Sequence, residues 1–211
     1  LALAAAAQRE PGSAHPIEDL EIFAPLVLEP GVTKRIRFQV DAHDGRFEIV
    51  SNARLSDEPW MHHAVGRLVT NGGRQPAREP LVIPERPFDF DATQHYQLTA
   101  RVGLQYGPAY QVVDGVWRDG DRLTGRLCLP ADSDVAGYRL LPALLDGCFQ
   151  VLADYSAEEI LGGDNDALVP VRIDSLITLR EGVLPTFASG RLVRRSDRSA
   201  VVDFDLYDAD R

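Results

Sequence analysis

Hydrophobic residues recur at three- and four-residue steps through residues 141–155, which predicts a buried helix. The apolar stripe consists of Leu141, Leu144, Leu145, Cys148, Val151, Leu152 and Tyr155. Pro142 suits the first helical turn, where a missing N–H costs nothing. Asp146 and Gln150 stand four residues apart at the border of the stripe, so their side chains share one face. A carboxyl group there would be partly desolvated, as a proton donor requires, but an ordinary amphipathic helix shows the same pattern.

Elsewhere apolar and polar residues alternate, which is the period of half-buried β-strands. The predicted strands cover residues 19–28, 34–40, 46–52, 60–70, 110–117, 122–129, 169–179, 187–194 and 201–207. Asp44-Gly45 and Arg118-Asp119-Gly120-Asp121 mark hairpin turns between neighbouring strands. The Ala-rich segment Leu1 to Ala7 is typical of the end of a helix.

The second half of the chain repeats the hydrophobic pattern of the first. At one constant offset, Leu20, Ile22, Leu26, Leu28, Gly31 and Val32 align with Val171, Ile173, Ile177, Leu179, Gly182 and Val183. Each set follows a predicted helix and precedes a strand pair, so we infer two tandem units, each a helix with an antiparallel sheet. Only the second unit has a hairpin before its helix, so we expect the N-terminal part of the first unit, with most of its helix, to lie before Leu1.

The domain organisation expected from this repeat is an α+β chain of three parts. Residues 1–72 form the C-terminal part of the first unit, residues 73–95 a linker, and residues 96–211 the second unit. The linker contains four prolines between residues 76 and 87 and shows little periodicity, which is typical of a segment that crosses a surface.

Composition narrows the possible partners. The 211 residues include 22 Lys and Arg against 32 Asp and Glu, a formal net charge of −10, which argues against nucleic-acid binding. No apolar run approaches the length of a membrane span. Cys128 and Cys148 offer neither a disulfide framework nor metal spacing, which favours a reducing, cytoplasmic setting.

The histidines give no metal or triad pattern. His62 and His63 are adjacent in a predicted strand, where their side chains face opposite ways and cannot easily share an ion. The chain also lacks a P-loop or dinucleotide fingerprint, so we expect no metal and no nucleotide cofactor. Tyr106-Gly107-Pro108-Ala109-Tyr110 is a restricted turn that either places a phenol against a neighbouring helix or is an ordinary loop.

Two of these stretches resemble motifs of the dehydratase domains of modular type I polyketide synthases. Residues 141–150, Leu-Pro-Ala-Leu-Leu-Asp-Gly-Cys-Phe-Gln, are similar to the family's Asp-x-x-x-Gln/His helix motif. Residues 103–110, Gly-Leu-Gln-Tyr-Gly-Pro-Ala-Tyr, are similar to its Gly-Tyr-x-Tyr-Gly-Pro-x-Phe motif. Residues 60–68 resemble the strand that closes the first hotdog of these domains. The resemblance spans nearly the whole chain and implies a double-hotdog fold.

The chain departs from the family pattern at several positions. Leu104 and Tyr110 replace a tyrosine and a phenylalanine of one motif, and Leu141 stands where a histidine often precedes the proline. Val171 and Ile173 replace two aromatic residues, which suggests a differently shaped acyl channel.

The family's His-x-x-x-Gly-x-x-x-x-Pro motif is absent. His62 and Gly66 match its first half, but Asn71 stands where proline is required and the segment has the pattern of a strand. We therefore reject this match and expect the catalytic histidine in the stretch before Leu1.

The resemblance implies loss of water from a β-hydroxyacyl thioester carried on phosphopantetheine. Asp146 would be the acid, Gln150 would hold Asp146 or the departing hydroxyl, and Tyr106 would donate to the β-hydroxyl. Desolvation would raise the pKa of Asp146 and the helix dipole would lower it, so the sign stays open. The residues implied to contact the substrate are Gly107, Pro108, Tyr110, Pro142, Leu145, Val169, Pro170 and Val171.

The same resemblance implies an acyl carrier protein and neighbouring synthase domains as partners, a homodimer, and no cofactor beyond the carrier's phosphopantetheine. Alternatives on the same scaffold are a pyran-forming cyclase or a double-bond isomerase, since both use the same acid helix. A catalytically inactive module that binds acyl thioesters or serves for docking is a further alternative. A structural spacer is disfavoured because it would not require Tyr106 and Asp146 together in their motifs.

Overall fold

The computed structural model describes residues 1–9, 16–55, 57–69, 80–155, 168–179, 182–196 and 199–209. In chain order the elements are α1 (Ala2–Arg9), β1 (Ile17–Ile22), β2 (Lys34–Val40), β3 (Arg46–Ala53), β4 (Met61–Leu68), β5 (Phe90–Asp91), α2 (Ala92–Arg101), β6 (Val113–Asp119), β7 (Arg122–Leu127), α3 (Pro142–Gln150), β8 (Arg172–Leu176), β9 (Phe187–Arg195) and β10 (Ala200–Tyr207). They fall into two compact units, each with an antiparallel five-stranded sheet and helical segments.

Unit 1 comprises residues 1–77 and 170–181. Its strands follow the order β2-β3-β4-β1-β8. Ala6 of α1 is buried together with Ile17, Phe47 and Leu68 of the sheet, which makes a small apolar core. The alternation seen in the sequence explains this arrangement, because every second strand residue points towards the helix side.

Strand β8 lies in unit 1, although the hydrophobic pattern predicts residues 169–179 as part of the second unit. It pairs antiparallel with β1, with Ile17 opposite Leu176 and Leu20 opposite Ile173. Alternation reveals which strand face is buried but not which strand is the neighbour, so the pattern alone could not locate β8. The first predicted strand also differs, since β1 ends at Ile22 instead of continuing to residue 28.

Unit 2 comprises residues 78–169 and 182–211, and its sheet follows the order β10-β9-β7-β6-β5. Helix α3 packs against this sheet and continues into a 3-10 turn, Val151–Asp154. Leu144, Cys148 and Val151 are almost fully buried in the largest apolar core of the described residues. The stripe that predicted a helix over residues 141–155 is therefore the face that packs against the sheet.

Glycines allow α3 to lie close to the sheet. A Cβ atom added at Gly147 of α3 would approach Cγ2 of Val112 to 2.7 Å and Cδ2 of Leu127 to 3.2 Å. A Cβ atom added at Gly125 of β7 would collide with the side chain of Val151. The position of Asp146, next to Gly147, is thus set by a tight helix–sheet contact.

Helix α2 begins inside the segment that the sequence analysis assigned to the linker. Asp91 and Gln94 form a capping box, in which each side chain accepts a hydrogen bond from the backbone N–H of the other residue. Residues 80–89 contain no helix or strand, and residues 73–79 of the predicted linker lie outside the described residues. Among the helices that the structure describes, none is long and apolar enough to cross a membrane.

Candidate functional site

Asp146 and Gln150 face each other one turn apart on α3. An amide hydrogen on Nε2 of Gln150 is donated to Oδ2 of Asp146 over 2.8 Å. Asp146 is half-buried, whereas Gln150 is buried, with 1% of its surface exposed. The pair therefore combines a carboxyl group open on one side with an amide held inside the protein.

The environment of Asp146 favours its protonated form. Burial raises the pKa of its carboxyl above the ordinary value, and the hydrogen bond from Gln150 lowers the pKa by a smaller amount. The net direction is upward, which answers the question of sign that the sequence left open. A raised pKa keeps the carboxyl group protonated to a higher pH, which is the change that a proton donor requires.

The amide oxygen and both amide hydrogens of Gln150 take part in hydrogen bonds. Its second amide hydrogen is donated to the backbone oxygen of Tyr110 over 2.9 Å, and its Oε1 accepts from the hydroxyl of Tyr96 over 3.2 Å. With both amide hydrogens engaged, Gln150 is placed to hold Asp146. No amide hydrogen of Gln150 is left for a departing hydroxyl group in this arrangement.

The turn that follows Tyr106 is fastened to α3. Gly107 precedes a 3-10 turn, Pro108–Tyr110, in which the N–H of Tyr110 donates to the carbonyl of Gly107 over 2.9 Å. The side chain of Gln111 donates to the carbonyl of Tyr106 over 2.9 Å. The hydrogen bond from Gln150 to the Tyr110 carbonyl joins this turn to α3, the helix that carries Asp146.

The phenol of Tyr106 is half-buried near the carboxyl group of Asp146. Burial raises the pKa of Tyr106 to about 12, and the charge of Asp146 contributes in the same direction. The hydroxyl therefore keeps its proton at neutral pH and stays available as a hydrogen-bond donor. The ring of Tyr96 stands edge-on to that of Tyr106, with 6.2 Å between the ring centroids.

The residues implied to contact the substrate fall into three places. Gly107, Pro108 and Tyr110 are exposed in the turn after Tyr106, and Pro142 and the half-buried Leu145 belong to α3. Val169 is exposed in unit 2, whereas Pro170 and Val171 are exposed in unit 1. The first five positions thus lie on the acid helix or in the turn joined to it, and contact of all eight with a substrate stays a prediction.

Tyr96 is a member of the site that sequence reasoning missed. Its hydroxyl accepts from the backbone N–H of Val113 over 2.9 Å while it donates to Gln150. The Asp91-x-x-Gln94 capping box marks the start of α2, and it could have placed Tyr96 in the second helical turn. Its contact with Gln150, 54 residues away, leaves no local signal.

A second missed feature is the buried pair formed by His95 and Asp154. Nδ1 of His95 lies 2.7 Å from Oδ2 of Asp154, and neither side chain is exposed. Within the described residues, Nε2 of His95 and Oδ1 of Asp154 have no hydrogen-bond partner. Burial raises the pKa of Asp154, and the hydrogen bond from His95 opposes part of that rise. The pair is next to Tyr96, because the rings of His95 and Tyr96 pack edge-on with 4.7 Å between their centroids.

The rejected histidine motif is indeed a strand. His62 and His63 belong to β4, His62 being exposed and His63 buried against the hydroxyl of Ser51. They face opposite ways, as predicted from their adjacency. The described part of the chain brings no three His, Cys, Asp or Glu side chains together in an arrangement that could hold a metal ion.

The sequence matches a known family model. Residues 74–210 match the polyketide synthase dehydratase N-terminal domain. The match covers most of the chain, including Tyr106, Asp146 and Gln150.

Curated relatives are parts of polyketide synthases. The spectinabilin polyketide synthase system protein NorA of Streptomyces orinoci is 36% identical over 147 residues, which cover 65% of this chain and 8% of NorA. The chain thus spans a small fraction of the length of this relative.

Solved dehydratase structures share the fold. An isomerase-inactive variant of GphF DH1 is 29% identical, with a TM-score of 0.78, and the alignment covers 99% of this chain and 74% of that one. The dehydratase domain from the CurJ module of curacin polyketide synthase gives a TM-score of 0.81 at 19% identity, over 99% of this chain and 74% of that one, and so shows the fold alone. These matches confirm both the family resemblance and the double-hotdog fold expected from the sequence.

Proposed function

Since the chain belongs to the polyketide synthase dehydratase family, we propose that it removes water from a β-hydroxyacyl thioester carried by an acyl carrier protein. The observation that carries this proposal is the half-buried Asp146, whose pKa is raised and whose orientation is held by Gln150. Loss of hydroxide requires a proton at the leaving oxygen, and a carboxyl group of raised pKa keeps a proton for this transfer to a higher pH than an ordinary carboxyl group does.

The proposed step breaks two bonds of the substrate and forms one double bond. A base takes the proton on the α-carbon, and that C–H electron pair becomes the α,β double bond as the C–O bond at the β-carbon breaks. Asp146 gives its proton to the departing hydroxyl, which leaves as water. Tyr106, which stays protonated, donates a hydrogen bond to the same oxygen. The carboxylate left on Asp146 accepts the amide hydrogen of Gln150.

The base of this reaction is expected to come from outside unit 2. Of the five histidines of the chain, only His95 lies within residues 78–169 or 182–211. Its ring is fully buried against Asp154, so it cannot reach a substrate in this conformation. The family resemblance gives the role of base to a histidine of the other hotdog, which stays a prediction.

The substrate and partners follow from the same proposal. The acyl chain would be delivered on the phosphopantetheine arm of a carrier protein, and no further cofactor would be required. Neighbouring synthase domains, a homodimeric state and a cytoplasmic setting belong to the proposal as well. The names of the relatives support the first of these, because they describe polyketide synthase proteins.

The proposal is tested by following the mass of a β-hydroxyacyl group on a phosphopantetheinylated carrier protein. The protein is expected to yield an acyl group lighter by one water, with a double bond between the α- and β-carbons. The assay is run with and without added imidazole. Imidazole serves as an external base, since His95 is buried and cannot take a proton from the substrate. An acyl group that keeps its mass under both conditions contradicts the proposal and favours an inactive thioester-binding module.

A double-bond isomerase is the second candidate. One solved relative, 29% identical, is described as an isomerase-inactive variant, which implies isomerisation by its parent domain. An α,β-unsaturated thioester offered as substrate separates the two activities. An isomerase moves the double bond to the β,γ position without a change in mass, whereas a dehydratase leaves it in place or adds water.

A further inference from the structure

We infer that Tyr96 is a positioning residue, whose hydroxyl holds the amide of Gln150 in the orientation that directs Nε2–H at Asp146. Two contacts define it: the hydroxyl donates to Oε1 of Gln150 over 3.2 Å and accepts from the N–H of Val113 over 2.9 Å. Tyr96 thus joins α2, β6 and α3 at one oxygen atom. The inference rests on the proposed function, since it concerns the acid of that reaction.

The backbone of β6 decides which way the Tyr96 proton points. The N–H of Val113 can only donate, so the phenol oxygen accepts there and its own proton is available for Gln150. Burial raises the pKa of Tyr96 to about 12, so the hydroxyl carries that proton throughout the neutral range. The tyrosine therefore presents a permanent donor to Gln150.

A donor at this position selects one of the two orientations of the Gln150 amide. With Oε1 on Tyr96, both hydrogens of Nε2 face acceptors, namely Oδ2 of Asp146 and the carbonyl of Tyr110. In the flipped orientation, Oε1 would face the carbonyl of Tyr110, which can only accept, and the ionised form of Asp146 would be a second acceptor. Hydrogen bonds in such a chain also strengthen each other, so donation from Tyr96 makes Nε2–H a better donor to Asp146.

The consequence concerns the proton on Asp146. An amide hydrogen on the carboxylate favours the ionised form and opposes the effect of burial. Removing the Tyr96 hydroxyl weakens that hydrogen bond or frees the amide to turn, and both effects favour the protonated form. Tyr96 therefore adjusts the acid strength of Asp146 through the amide of Gln150.

The test measures the carboxyl group of Asp146 directly, by a 13C NMR titration of the aspartate side chains of the full chain. Tyr96→Phe is expected to raise the pKa of Asp146 by about 0.5. Tyr155→Phe is the matched control, because it removes a hydroxyl from a second tyrosine of unit 2, which is buried and donates to the carbonyl of Asp121. The control is expected to leave the pKa of Asp146 unchanged.

A purely structural role of Tyr96 would lower the melting temperature and leave the titration of Asp146 where it is in the wild type. That result, or an equal change in Tyr155→Phe, overturns the inference. A second measurement does not depend on the folding of Tyr96→Phe: in the wild type, the side-chain amide signals of Gln150 are expected to follow the titration of Asp146. An amide that does not respond overturns the inference as well. The NMR titration uses no substrate, so its result does not depend on whether the protein catalyses dehydration. Absence of dehydration would refute the proposed function and leave the result of the titration intact.

Discussion

The amide of Gln150 donates to the carboxylate of Asp146 over 2.8 Å, and its other hydrogen donates to the backbone of Tyr110 over 2.9 Å. One side chain thereby connects the helix that carries the acid with the turn that carries Tyr106. This side chain therefore fixes Asp146 relative to the Pro108–Tyr110 turn that follows Tyr106.

Replacing Gln150 is expected to change the pH dependence of dehydration. The proposed acid works while protonated, so the rate falls as pH rises through the pKa of Asp146. Since the Gln150 hydrogen bond lowers that pKa, Gln150→Leu should raise it and move the fall in rate to higher pH. The measurement is the pH profile of kcat. Gln97→Leu, at an exposed position of α2, is the control, and an unmoved profile for Gln150→Leu would contradict the assignment.

Loss of the Tyr106 hydroxyl is expected to slow the reaction less than loss of the acid. Tyr106→Phe removes one neutral hydrogen bond to the leaving oxygen, so kcat should fall about tenfold. Tyr138→Phe removes the same atom from an exposed tyrosine of unit 2 and should have no effect. Equal rates for Tyr106→Phe and the wild type would reduce Tyr106 to a packing role.

The buried pair of His95 and Asp154 is expected to show strong coupling in its contribution to stability. His95→Leu or Asp154→Ala alone leaves the other polar group buried without its partner and should lower the free energy of unfolding by about 3–5 kcal/mol. The double substitution removes both groups and should cost less than either single change. It also removes Nε2 of the imidazole and Oδ1 of the carboxyl group, which have no hydrogen-bond partner among the described residues. Urea unfolding of the four proteins measures the coupling. Additive costs would show that the two residues do not stabilise each other.

Gly147→Ala is expected to disturb the site through packing. Its new Cβ would lie 2.7 Å from Cγ2 of Val112, so α3 or the Val112 side chain must shift, at a cost of about 1–3 kcal/mol in unfolding free energy. Because Asp146 is the preceding residue, kcat should fall as well. Val112→Ala makes room for the added atom, so it should cost less in the Gly147→Ala background than in the wild type. Equal costs in both backgrounds would rule out the predicted clash.

Much of the fold could be predicted from periodicity, because burial of one face imposes a pattern on every strand and helix. The stripe of Leu144, Cys148 and Val151 identified α3, and alternation identified the strands of both sheets except β5, which lies in the segment expected to be a linker. The neighbour of β8 could not be predicted, since its pairing with β1 joins residues about 150 positions apart.

Prediction of the site was limited in the same way. Asp146 and Gln150 are four residues apart on one helix, so their contact follows from helical geometry. Tyr96 contacts Gln150 of α3, which is 54 residues away, and His95 contacts Asp154 of the following 3-10 turn, which is 59 residues away. Only the folded structure brings these residues together. Helix geometry, in contrast, could not give the sign of the pKa change at Asp146, which depends on how deeply the helix packs into the protein.

The acid role of Asp146 is tested most directly by the ratio of kcat/KM between the wild type and Asp146→Asn on a β-hydroxyacyl carrier protein, with imidazole added as the external base. Asparagine retains the size of the side chain and removes the transferable proton. We expect unchanged thermal stability and a loss of about 100-fold or more in kcat/KM, the range of general acid catalysis. Asp132→Asn, at an exposed position of unit 2, should match the wild type. Turnover by Asp146→Asn equal to that of the wild type would contradict the account.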